Sequence, residues 1–390
     1  MLNSETGNSK FLKAYNEAGI LDLIRTGKAL TRADLSKATG LSPTAAGVIV
    51  SALIEKGYLH EIGSGESKGG RKPVLLELKP DSYYSIGFDI DVDSIYYIMM
   101  DTTGRVIYEN SRVLRLPAPD AAISALLSCM EEITESFSIG MDKLLGIGIS
   151  VPGMVDAATQ KVVLAPNLGW ENVDLCAMLK ARLDLPVYIE NEAMASAICE
   201  NWIGACQEVS NFVCINIRSG IGAGIFTGGR PYKGAGGSAG EVGHIVVEGN
   251  GMKCGCGNSG CLETIASTGR IVEKARKTAG QNIISNISLT YIVEAARAGN
   301  AEMMGLLDDA AGYLGTALSG IVNTLNPSKI VLGKDFTKYG DLVMDLIRGV
   351  VDRKALRRPA ANVELIVSEI GERSSTLGAS IVPLKILFGR

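Results

Sequence analysis

Three cysteines and a histidine between residues 244 and 261 form the clearest chemical signal in the 390-residue chain. Cys254, Cys256 and Cys261 lie within eight residues, and His244, one of only two histidines, precedes the first of them by ten positions. One imidazole and three thiolates are a tetrahedral ligand set suited to zinc, and four protein ligands leave no open coordination position. The spacing therefore predicts a structural, not a catalytic, zinc site. Free thiols are the alternative, whereas a disulfide is disfavoured in a reducing compartment.

The composition indicates a globular protein of two or three domains that does not enter a membrane. Of its 390 residues, 46% are hydrophobic and 21% are charged, and this length exceeds one ordinary hydrophobic core. No apolar run reaches the roughly 20 residues that cross a bilayer, and the N-terminus lacks the charged-then-apolar pattern of a signal peptide. We therefore expect a cytoplasmic protein without a membrane partner.

Charge is unevenly divided along the chain. Residues 1–80 contain 11 Lys and Arg against 8 Asp and Glu, whereas residues 81–390 contain 27 against 34. A basic N-terminal segment on an acidic body is compatible with nucleic-acid contact at one end. A solvated surface gives the same count, so charge alone does not decide between the two.

The N-terminal segment has the pattern of three helices followed by a two-stranded ribbon. Thr31 and Ser42 are predicted helix N-caps, and Gly40 is predicted to end the middle helix at a tight turn. Pro43 opens the third helix, where its missing N–H costs nothing. Two alternating strands follow, joined by a loop rich in glycine and basic residues. The pattern predicts a winged helix-turn-helix over residues 1–80, with its third helix in the major groove of double-stranded operator DNA.

Two groups of residues in this segment are candidates for DNA contact. Small or polar side chains open the third helix and allow close approach to base edges, and basic residues on the wing can reach phosphates or a minor groove. The predicted DNA-binding residues are Ser42, Thr44, Ala45, Ala46, Lys68, Arg71 and Lys72. The third helix has no Arg, Asn or Gln in its first turns, so we expect weak readout of bases by side chains. A helical interaction domain with a basic loop is the alternative.

Residues 81–390 contain a loosely repeated unit. The segments 85–106 and 212–231 each have the pattern strand, short turn, strand and glycine turn. Helical and strand segments alternate after each copy, which predicts two similar α/β lobes. Asn191 and Glu192 follow a predicted strand, and polar groups at the carboxyl ends of strands in such sheets commonly bind ligands.

Several motifs resemble those of the ROK family, which comprises repressors, open reading frames and kinases within the actin-like sugar kinase superfamily. The resemblance extends over nearly the whole chain, and the cysteine motif is its most specific element. The motifs are GEVGH, CGCGNSGCLE, VPGMVD, PNLGW, ENEA and, near the N-terminus, GGRKP. A winged helix on this body is the pattern of the family's repressors, such as xylose and N-acetylglucosamine repressors, whereas its kinases usually lack that head.

The resemblance implies an α/β fold in which a winged helix-turn-helix precedes a two-lobed, actin-like sugar kinase body with a duplicated, ribonuclease H-like core. We expect a first lobe over residues 81–205, completed by a C-terminal helix over residues 374–390. A second lobe over residues 206–373 is expected to contain the zinc motif. The expected assembly is a homodimer or a dimer of dimers.

The family pattern also places a sugar in the cleft between the two lobes. Sugar hydroxyls need closely placed donors and acceptors, and the resemblance implies that these come from Asn167, Asn191, Glu192, Glu241, His244 and Glu263. The zinc site would hold this wall of the pocket in shape without taking part in chemistry. Each carboxylate taken singly could instead be a solvated charge or a helix cap.

The phosphate-binding parts of a kinase are poorly represented. Family kinases use an aspartate as general base where this chain has Glu192, and an Asp-x-Gly-Gly-Thr turn where it has DIDVDS at residues 89–94. The glycines that let backbone N–H groups approach phosphate are missing, and the carboxylates of Asp91 and Asp93 would repel it. We therefore predict no catalytic residue and no use of ATP.

The combined prediction is a sugar-responsive transcriptional regulator that is not an enzyme: a repressor of carbohydrate-utilisation genes that a small sugar effector releases from DNA. Closure of the cleft around the sugar would change the spacing of the two heads in a dimer. The first alternative is an ATP-dependent, glucokinase-like sugar kinase with a regulatory DNA-binding head. The second is a DNA-binding protein whose body only forms oligomers.

Overall fold

The computed structural model of the protein describes residues 9–28, 30–64, 72–116, 118–278 and 287–389. No single helix within these ranges is long and apolar enough to cross a membrane. The helices Arg32–Thr39 and Pro43–Glu55 reach the required length and composition only when they are joined across a 117° bend.

Three helices and a two-stranded antiparallel ribbon form the N-terminal head. Its elements are α1 (Ser9–Arg25), α2 (Arg32–Thr39), α3 (Pro43–Glu55), β1 (Leu59–Ser64) and β2 (Val74–Leu78). The predicted caps are confirmed, because Thr31 accepts a hydrogen bond from the Asp34 N–H (3.1 Å) and Ser42 accepts one from the Ala45 N–H (3.2 Å). Gly40 ends α2 at φ 71°, a left-handed conformation that glycine adopts without strain. The head is therefore a winged helix-turn-helix.

A five-stranded sheet organises the first lobe of the body. Its elements are β3 (Tyr84–Ile90), β4 (Ser94–Asp101), β5 (Val106–Val113), α4 (Pro119–Phe137), β6 (Leu144–Val151), β7 (Met154–Val155), β8 (Val162–Ala165), β9 (Trp170–Val173), α5 (Leu175–Lys180), β10 (Val187–Asn191) and α6 (Glu192–Trp202). The strand order is β10-β6-β3-β4-β5, and β7, β8 and β9 form a separate small sheet. β3, β4 and β5 pair antiparallel, whereas β6 and β10 extend the sheet in parallel.

The second lobe repeats this arrangement. Its elements are β11 (Phe212–Ile217), β12 (Ile221–Thr227), β13 (Arg230–Pro231), α7 (Glu263–Ala266), α8 (Thr268–Thr278), α9 (Leu289–Arg297), α10 (Ala301–Leu325), β14 (Lys329–Lys334), α11 (Gly340–Lys354), α12 (Arg357–Asn362) and β15 (Glu364–Val367). The order is β13-β12-β11-β14-β15, again with three antiparallel strands and two further parallel ones. Because both sheets share one topology, the predicted duplication is confirmed.

The C-terminal helix α13 (Ser374–Leu387) lies directly against the first lobe. A Cβ atom at Gly148 would lie 1.9 Å from the carbonyl oxygen of Ala379, and one at Gly378 would lie 1.8 Å from that of Ala195. Only glycine permits these contacts, since real Cβ atoms do not approach a carbonyl oxygen so closely. The two glycines therefore let α13 contact β6 and α6 backbone to backbone.

The head shares a hydrophobic core with the ends of α6 and α13. Ile20 and Leu21 of α1 are buried in the same cluster as Trp202, at the end of α6, and Phe388, just after α13. The guanidinium of Arg25 lies 3.8 Å from the ring centroid of Trp202 and 5.8 Å from that of Phe388. A cation stacked on an aromatic ring contributes about 0.5–2 kcal/mol, depending on its desolvation. The head is thus packed against two helices of the body.

Candidate effector cleft, metal cluster and DNA-binding surface

A cavity of about 320 Å³ lies between the two lobes, a volume at the lower end of the range for small-molecule sites. We refer to it as the cleft. All six residues predicted to contact a sugar line it: Asn167, Asn191, Glu192, Glu241, His244 and Glu263. The turn at residues 152–154 and the segment 218–223 complete its wall. Folding therefore brings into one cleft side chains that are widely separated in the sequence.

Asn191 joins two walls of the cleft. It ends β10 and caps α6, where its side-chain oxygen accepts hydrogen bonds from the N–H groups of Ala193 (2.9 Å) and Met194 (3.2 Å). Its amide nitrogen donates to the carbonyl oxygen of Gly153 (2.7 Å). Because both ends of the amide are engaged within the protein, Asn191 shapes the cleft through the backbone that it holds.

Glu192 opens α6 and meets a cation that sequence reasoning missed. The ammonium of Lys334, the last residue of β14, lies 3.2 Å from the Glu192 carboxylate and 3.3 Å from that of Asp89. It also donates a hydrogen bond to the hydroxyl of Ser375 on α13 (2.5 Å). We call these four residues the Lys334 cluster. Since Lys334 belongs to the second sheet and Asp89 to the first, the cluster joins the two lobes.

Lys334 is completely buried on a strained backbone. Its φ of 61° and ψ of −134° lie in a region that costs other residues than glycine about 1–3 kcal/mol. Burial lowers the pKa of Lys334, but the carboxylates of Asp89 and Glu192 outweigh burial, so the net pKa is raised and the side chain stays charged. Burial also raises the pKa of Glu192, and Lys334 opposes that shift. The only sequence signal was a lysine at the end of an apolar strand, IVLGK.

A second ion pair crosses the cleft at the turn after β3. Arg218, which follows β11, lies 2.6 Å from the carboxylate of Asp91. Burial lowers the pKa of Arg218, but Asp91 and Glu192 outweigh it and the net pKa is raised. The sequence argument relied on repulsion of phosphate by unpaired carboxylates at residues 89–94. The structure shows instead that Asp89 and Asp91 are neutralised by cations of the second lobe, so that side chains of the protein occupy this end of the cleft.

A side chamber extends from the cleft past Asn191. It has a volume of about 10 Å³, which is enough for about one water molecule. Glu190 and Lys233 line it, and the Lys233 ammonium lies 2.5 Å from the Glu190 carboxylate. This ion pair also joins the two lobes and was not predicted from the sequence. The chamber is therefore a closed end of the cleft.

Two further carboxylates line the cleft from the second lobe. Glu263 opens α7, and its carboxylate accepts a hydrogen bond from the Ile221 N–H (3.2 Å). The carboxylate of Glu241 lies 3.9 Å from Nε2 of His244. Burial raises the pKa of Glu241, and the nearby charge of Glu263 raises it further, against the effect of His244. Both groups offer oxygen acceptors toward the cleft.

The predicted metal ligands converge. One ligand atom each from His244, Cys254, Cys256 and Cys261 lies within 4.8 Å of the others. Nδ1 of His244 is 3.6 Å from Sγ of Cys254, and Sγ of Cys256 is 3.7 Å from that of Cys261. Zinc bonds of about 2.0–2.3 Å place tetrahedral ligand atoms about 3.5–3.8 Å apart. The four residues therefore form a cluster that can hold a metal ion, and their geometry and donor types fit zinc.

The loop that carries the metal cluster is folded back on itself. Val246 pairs with Cys261, and Lys253 pairs with Ser259, in isolated β-bridges. Gly260 has φ 75°, and a Cβ atom there would lie 1.7 Å from the carbonyl oxygen of Glu248. Glycine at this position therefore permits the close return of the chain that brings Cys261 to the cluster.

The head exposes only part of the predicted DNA-binding set. Ser42 and Thr44 are exposed at the start of α3, Ala45 is half-buried and Lys72 is exposed on the wing. Ala46 is a correction, because its side chain is completely buried. Lys68 and Arg71 lie outside the described residues.

The burial of Ala46 follows from helical phase. Ala46, Val50 and Leu53 share the buried face of α3 at the spacing i, i+4, i+7. The opposite face exposes Val48 and Ser51, which sequence reasoning missed. The spacing of apolar residues in the sequence was the signal that could have identified both faces.

The fold and the site together define the class of proteins that join a winged helix-turn-helix to a duplicated, actin-like sugar kinase fold. The chain belongs to the ROK family, whose pattern it matches over residues 85–385. The family resemblance inferred from the motifs is therefore confirmed.

Known proteins match the whole chain or the body alone. The xylose repressor of Caldicellulosiruptor bescii is 32% identical over 382 residues, which cover 95% of this chain and 96% of the repressor. A solved ROK family transcriptional regulator, a homologue of the E. coli MLC protein, has a TM-score of 0.85 at 26% identity and covers 97% of both chains. A ROK glucokinase from Streptomyces griseus, solved with glucose and AMPPNP, has a TM-score of 0.68 at 28% identity and covers 76% of this chain and 98% of the kinase. Regulators thus match this chain along its full length.

Proposed function

We propose that the protein is a sugar-responsive, DNA-binding transcriptional regulator, a repressor of carbohydrate-utilisation genes that leaves its operator when a small sugar occupies the cleft. The observation that carries this proposal is a winged helix-turn-helix packed on two helices whose other ends lie at the cleft. The full-length similarity to a xylose repressor and to a ROK transcriptional regulator supports it. Residues 1–80 act as the DNA-binding domain, and residues 81–390 act as the sugar-binding body.

The link between the cleft and the head is formed by α6 and α13. α6 begins at Glu192, in the cleft, and ends at Trp202, under the guanidinium of Arg25. Its 11 residues span about 16 Å. α13 begins next to the Lys334 cluster through Ser375, and Phe388 follows its last turn against the head. A sugar that moves the first turn of either helix therefore moves the platform on which α1 rests.

Sugar binding acts by favouring one arrangement of the two lobes. Three ion pairs cross between the lobes, namely Arg218 with Asp91, Lys334 with Asp89, and Lys233 with Glu190. The sugar-contacting residues come from both lobes, so a bound sugar binds one relative position of the lobes better than others. A ligand shifts such an equilibrium only by its difference in affinity for the two states. In a homodimer or a dimer of dimers, the shift alters the spacing of the heads relative to palindromic half-sites.

The metal cluster supports the cleft and takes no part in chemistry. We assign zinc to His244, Cys254, Cys256 and Cys261, because three thiolates and one imidazole complete a tetrahedral site. His244 coordinates through Nδ1 and presents Nε2 to Glu241, so that the ion fixes the wall from which Glu241 and Glu263 contact the sugar.

A sugar kinase with a regulatory head is the second candidate, because the body resembles a ROK glucokinase and Glu192 offers a carboxylate in the cleft. Two features oppose it. Lys334 binds the Glu192 carboxylate, and a general base must be free to accept a proton from its substrate. Arg218 and Asp91 fill the end of the cleft where the glycine-poor turn 89–94 lies. We therefore assign no catalytic residue.

Titration of DNA binding with sugars tests the proposal. An operator duplex is first selected from a random library with the full-length protein, and its dissociation constant is measured by fluorescence anisotropy with and without millimolar neutral sugars. At least one sugar is expected to weaken operator binding at least about fivefold, with no effect on a variant that lacks residues 1–80 because that variant binds no DNA. Operator affinity that no sugar changes would contradict the proposal.

A coupled assay of ATP hydrolysis with the same sugars separates the two candidates. Pure protein is expected to show no sugar-dependent release of ADP above the rate without enzyme. ATP-dependent phosphorylation of a sugar with a turnover of about 1 per second or more, typical of enzymes, would establish the kinase instead.

A further inference from the structure

We propose that the effector is a neutral, unphosphorylated monosaccharide and that the charges around the cleft exclude sugar phosphates and sugar acids. This inference rests on the proposed function, because it specifies the ligand of the same cleft. Three observations lead to it: the pairing of the cations, the surplus of carboxyl groups and the closed side chamber.

The cations around the cleft are already bound to carboxylates. The pairs are Arg218 with Asp91 (2.6 Å), Lys233 with Glu190 (2.5 Å), and Lys334 with Asp89 and Glu192 (3.3 and 3.2 Å). A phosphate is bound in proteins by charge-assisted donors such as arginine forks. Recruiting one of these three cations would leave a partly or wholly buried carboxylate without its partner, which is strongly unfavourable. An anionic sugar therefore finds donors that are engaged elsewhere.

Carboxyl groups outnumber cations in this region. Together with their partners, six carboxyl groups and three lysine or arginine side chains line the cleft and its side chamber or pair with residues that do. Glu241 and Glu263 line the cleft, and within the described part of the chain neither has a lysine or arginine partner. A phosphate or carboxylate on the ligand would lie close to these like charges and be repelled.

Hydrogen-bond chemistry points the same way. An ionised carboxylate only accepts hydrogen bonds, whereas a sugar hydroxyl can donate one. Glu241 and Glu263 are therefore matched to neutral hydroxyls, and they are mismatched to a phosphate dianion, whose oxygens also only accept. The Asn167 amide, which lines the same cleft, both donates and accepts. These groups recognise a polyol and not an anion.

The dimensions of the cleft limit the ligand to one sugar ring. Its volume is about 320 Å³, and the side chamber of about 10 Å³ ends at the Lys233–Glu190 ion pair. Since that chamber holds about one water molecule, a second ring cannot extend past Asn191. The ligand class that fits both charge and size is a neutral aldose.

Calorimetry on the full-length protein tests this inference with matched ligands. The neutral set is D-xylose, D-glucose, D-mannose and N-acetyl-D-glucosamine, and the charged set is glucose 6-phosphate, N-acetylglucosamine 6-phosphate and glucuronate. Each ligand is also tested for its effect on operator binding. A neutral sugar is expected to bind, and its charged counterpart is expected to bind at least about tenfold more weakly. The difference should narrow as the ionic strength rises from about 0.05 to about 0.5 M, because salt screens the repulsion.

Charge removal provides a second measurement. In Glu263→Gln and Glu241→Gln, the ratio of the dissociation constants for phosphorylated and neutral sugar should fall, even where both affinities decrease. Glu302→Gln, an exposed residue of α10 remote from the cleft, is the control and should leave the ratio unchanged. An unchanged ratio in both cleft variants would oppose the role of these charges.

The outcomes separate the two proposals. A sugar phosphate or uronate that binds as tightly as its neutral parent and releases operator DNA overturns the inference and leaves the proposed function standing. If no ligand of either set binds or changes operator affinity, both the proposed function and the inference fall. Binding confined to neutral sugars supports both.

Discussion

At the scale of single residues, Lys334 dominates the energetics of the cleft. Its ammonium is buried among two carboxylates, the Ser375 hydroxyl and the carbonyl oxygen of Glu372. The residue keeps this position despite a backbone conformation that favours glycine. Removal of the ammonium would leave Asp89 and Glu192 close together in a region of low dielectric, with no cation between them.

We expect Lys334→Met to lower the free energy of unfolding by about 3–5 kcal/mol, the usual cost of removing one partner from a buried ion pair. Urea unfolding followed by circular dichroism measures it. Lys338→Met is the matched control, because Lys338 also pairs with carboxylates, those of Asp335 and Glu372, but on the surface. The control should lose at most about 1 kcal/mol, and equal losses in the two variants would contradict a special role for Lys334.

At the scale of structural elements, the loop 245–261 depends on its metal ion for shape. Between its two β-bridges it contains little regular structure, and few apolar side chains of the loop are buried. Ion binding therefore supplies much of the energy that orders it. The two histidines of the chain offer a direct comparison, since His244 lies in the cluster and His60 lies on the ribbon of the head.

We expect His244→Asn to lose bound zinc and His60→Asn to keep one zinc ion per chain, as measured by elemental analysis of the purified proteins. The first variant should also bind its sugar about 10–100-fold more weakly, because Glu241 and Glu263 lose their support. Equal zinc content in the two variants would mean that the ion, if present, is held elsewhere.

The contact of Arg25 with Trp202 and Phe388 is the element-scale link between body and head. We expect Arg25→Met to leave sugar affinity unchanged and to reduce the effect of the sugar on operator affinity about 2–30-fold, the range that a cation–π contact can contribute. Calorimetry measures the first quantity and anisotropy the second. Arg297→Met, which removes an exposed ion pair with Asp341 in the second lobe, should behave like the wild type. A full sugar response in Arg25→Met would show that the signal takes another route.

Local chemistry made much of the fold and site predictable. The caps at Thr31 and Ser42 depend on neighbouring residues, and the metal ligands lie close together in sequence. The Lys334 cluster could not be found in this way, because its lysine and Asp89 are 245 positions apart and meet only when both sheets have formed. The error at Ala46 had a different cause. The helix was predicted correctly, but its apolar spacing was not used to decide which face is buried.

At the scale of the whole molecule, two binding surfaces are joined by one pair of helices. The cleft contacts the first turn of α6, and the head contacts its last turn. In such a protein, sugar and DNA bias the same equilibrium between lobe arrangements. The effect of each ligand on the other must then be equal in size, since coupling between binding equilibria is reciprocal.

We therefore expect saturating operator DNA to weaken sugar binding by the same factor by which saturating sugar weakens operator binding. The typical range of such coupling is about 1–3 kcal/mol, or about 5–150-fold. Calorimetric titration of the sugar into protein with and without operator gives the first factor, and anisotropy gives the second at the same salt concentration. Glu263→Gln, which weakens the sugar contact in the cleft, should shift the sugar concentration needed in both experiments while operator affinity without sugar stays unchanged. A sugar dissociation constant that is the same on free and operator-bound protein, together with sugar-induced release of DNA, would show that release does not originate in the cleft.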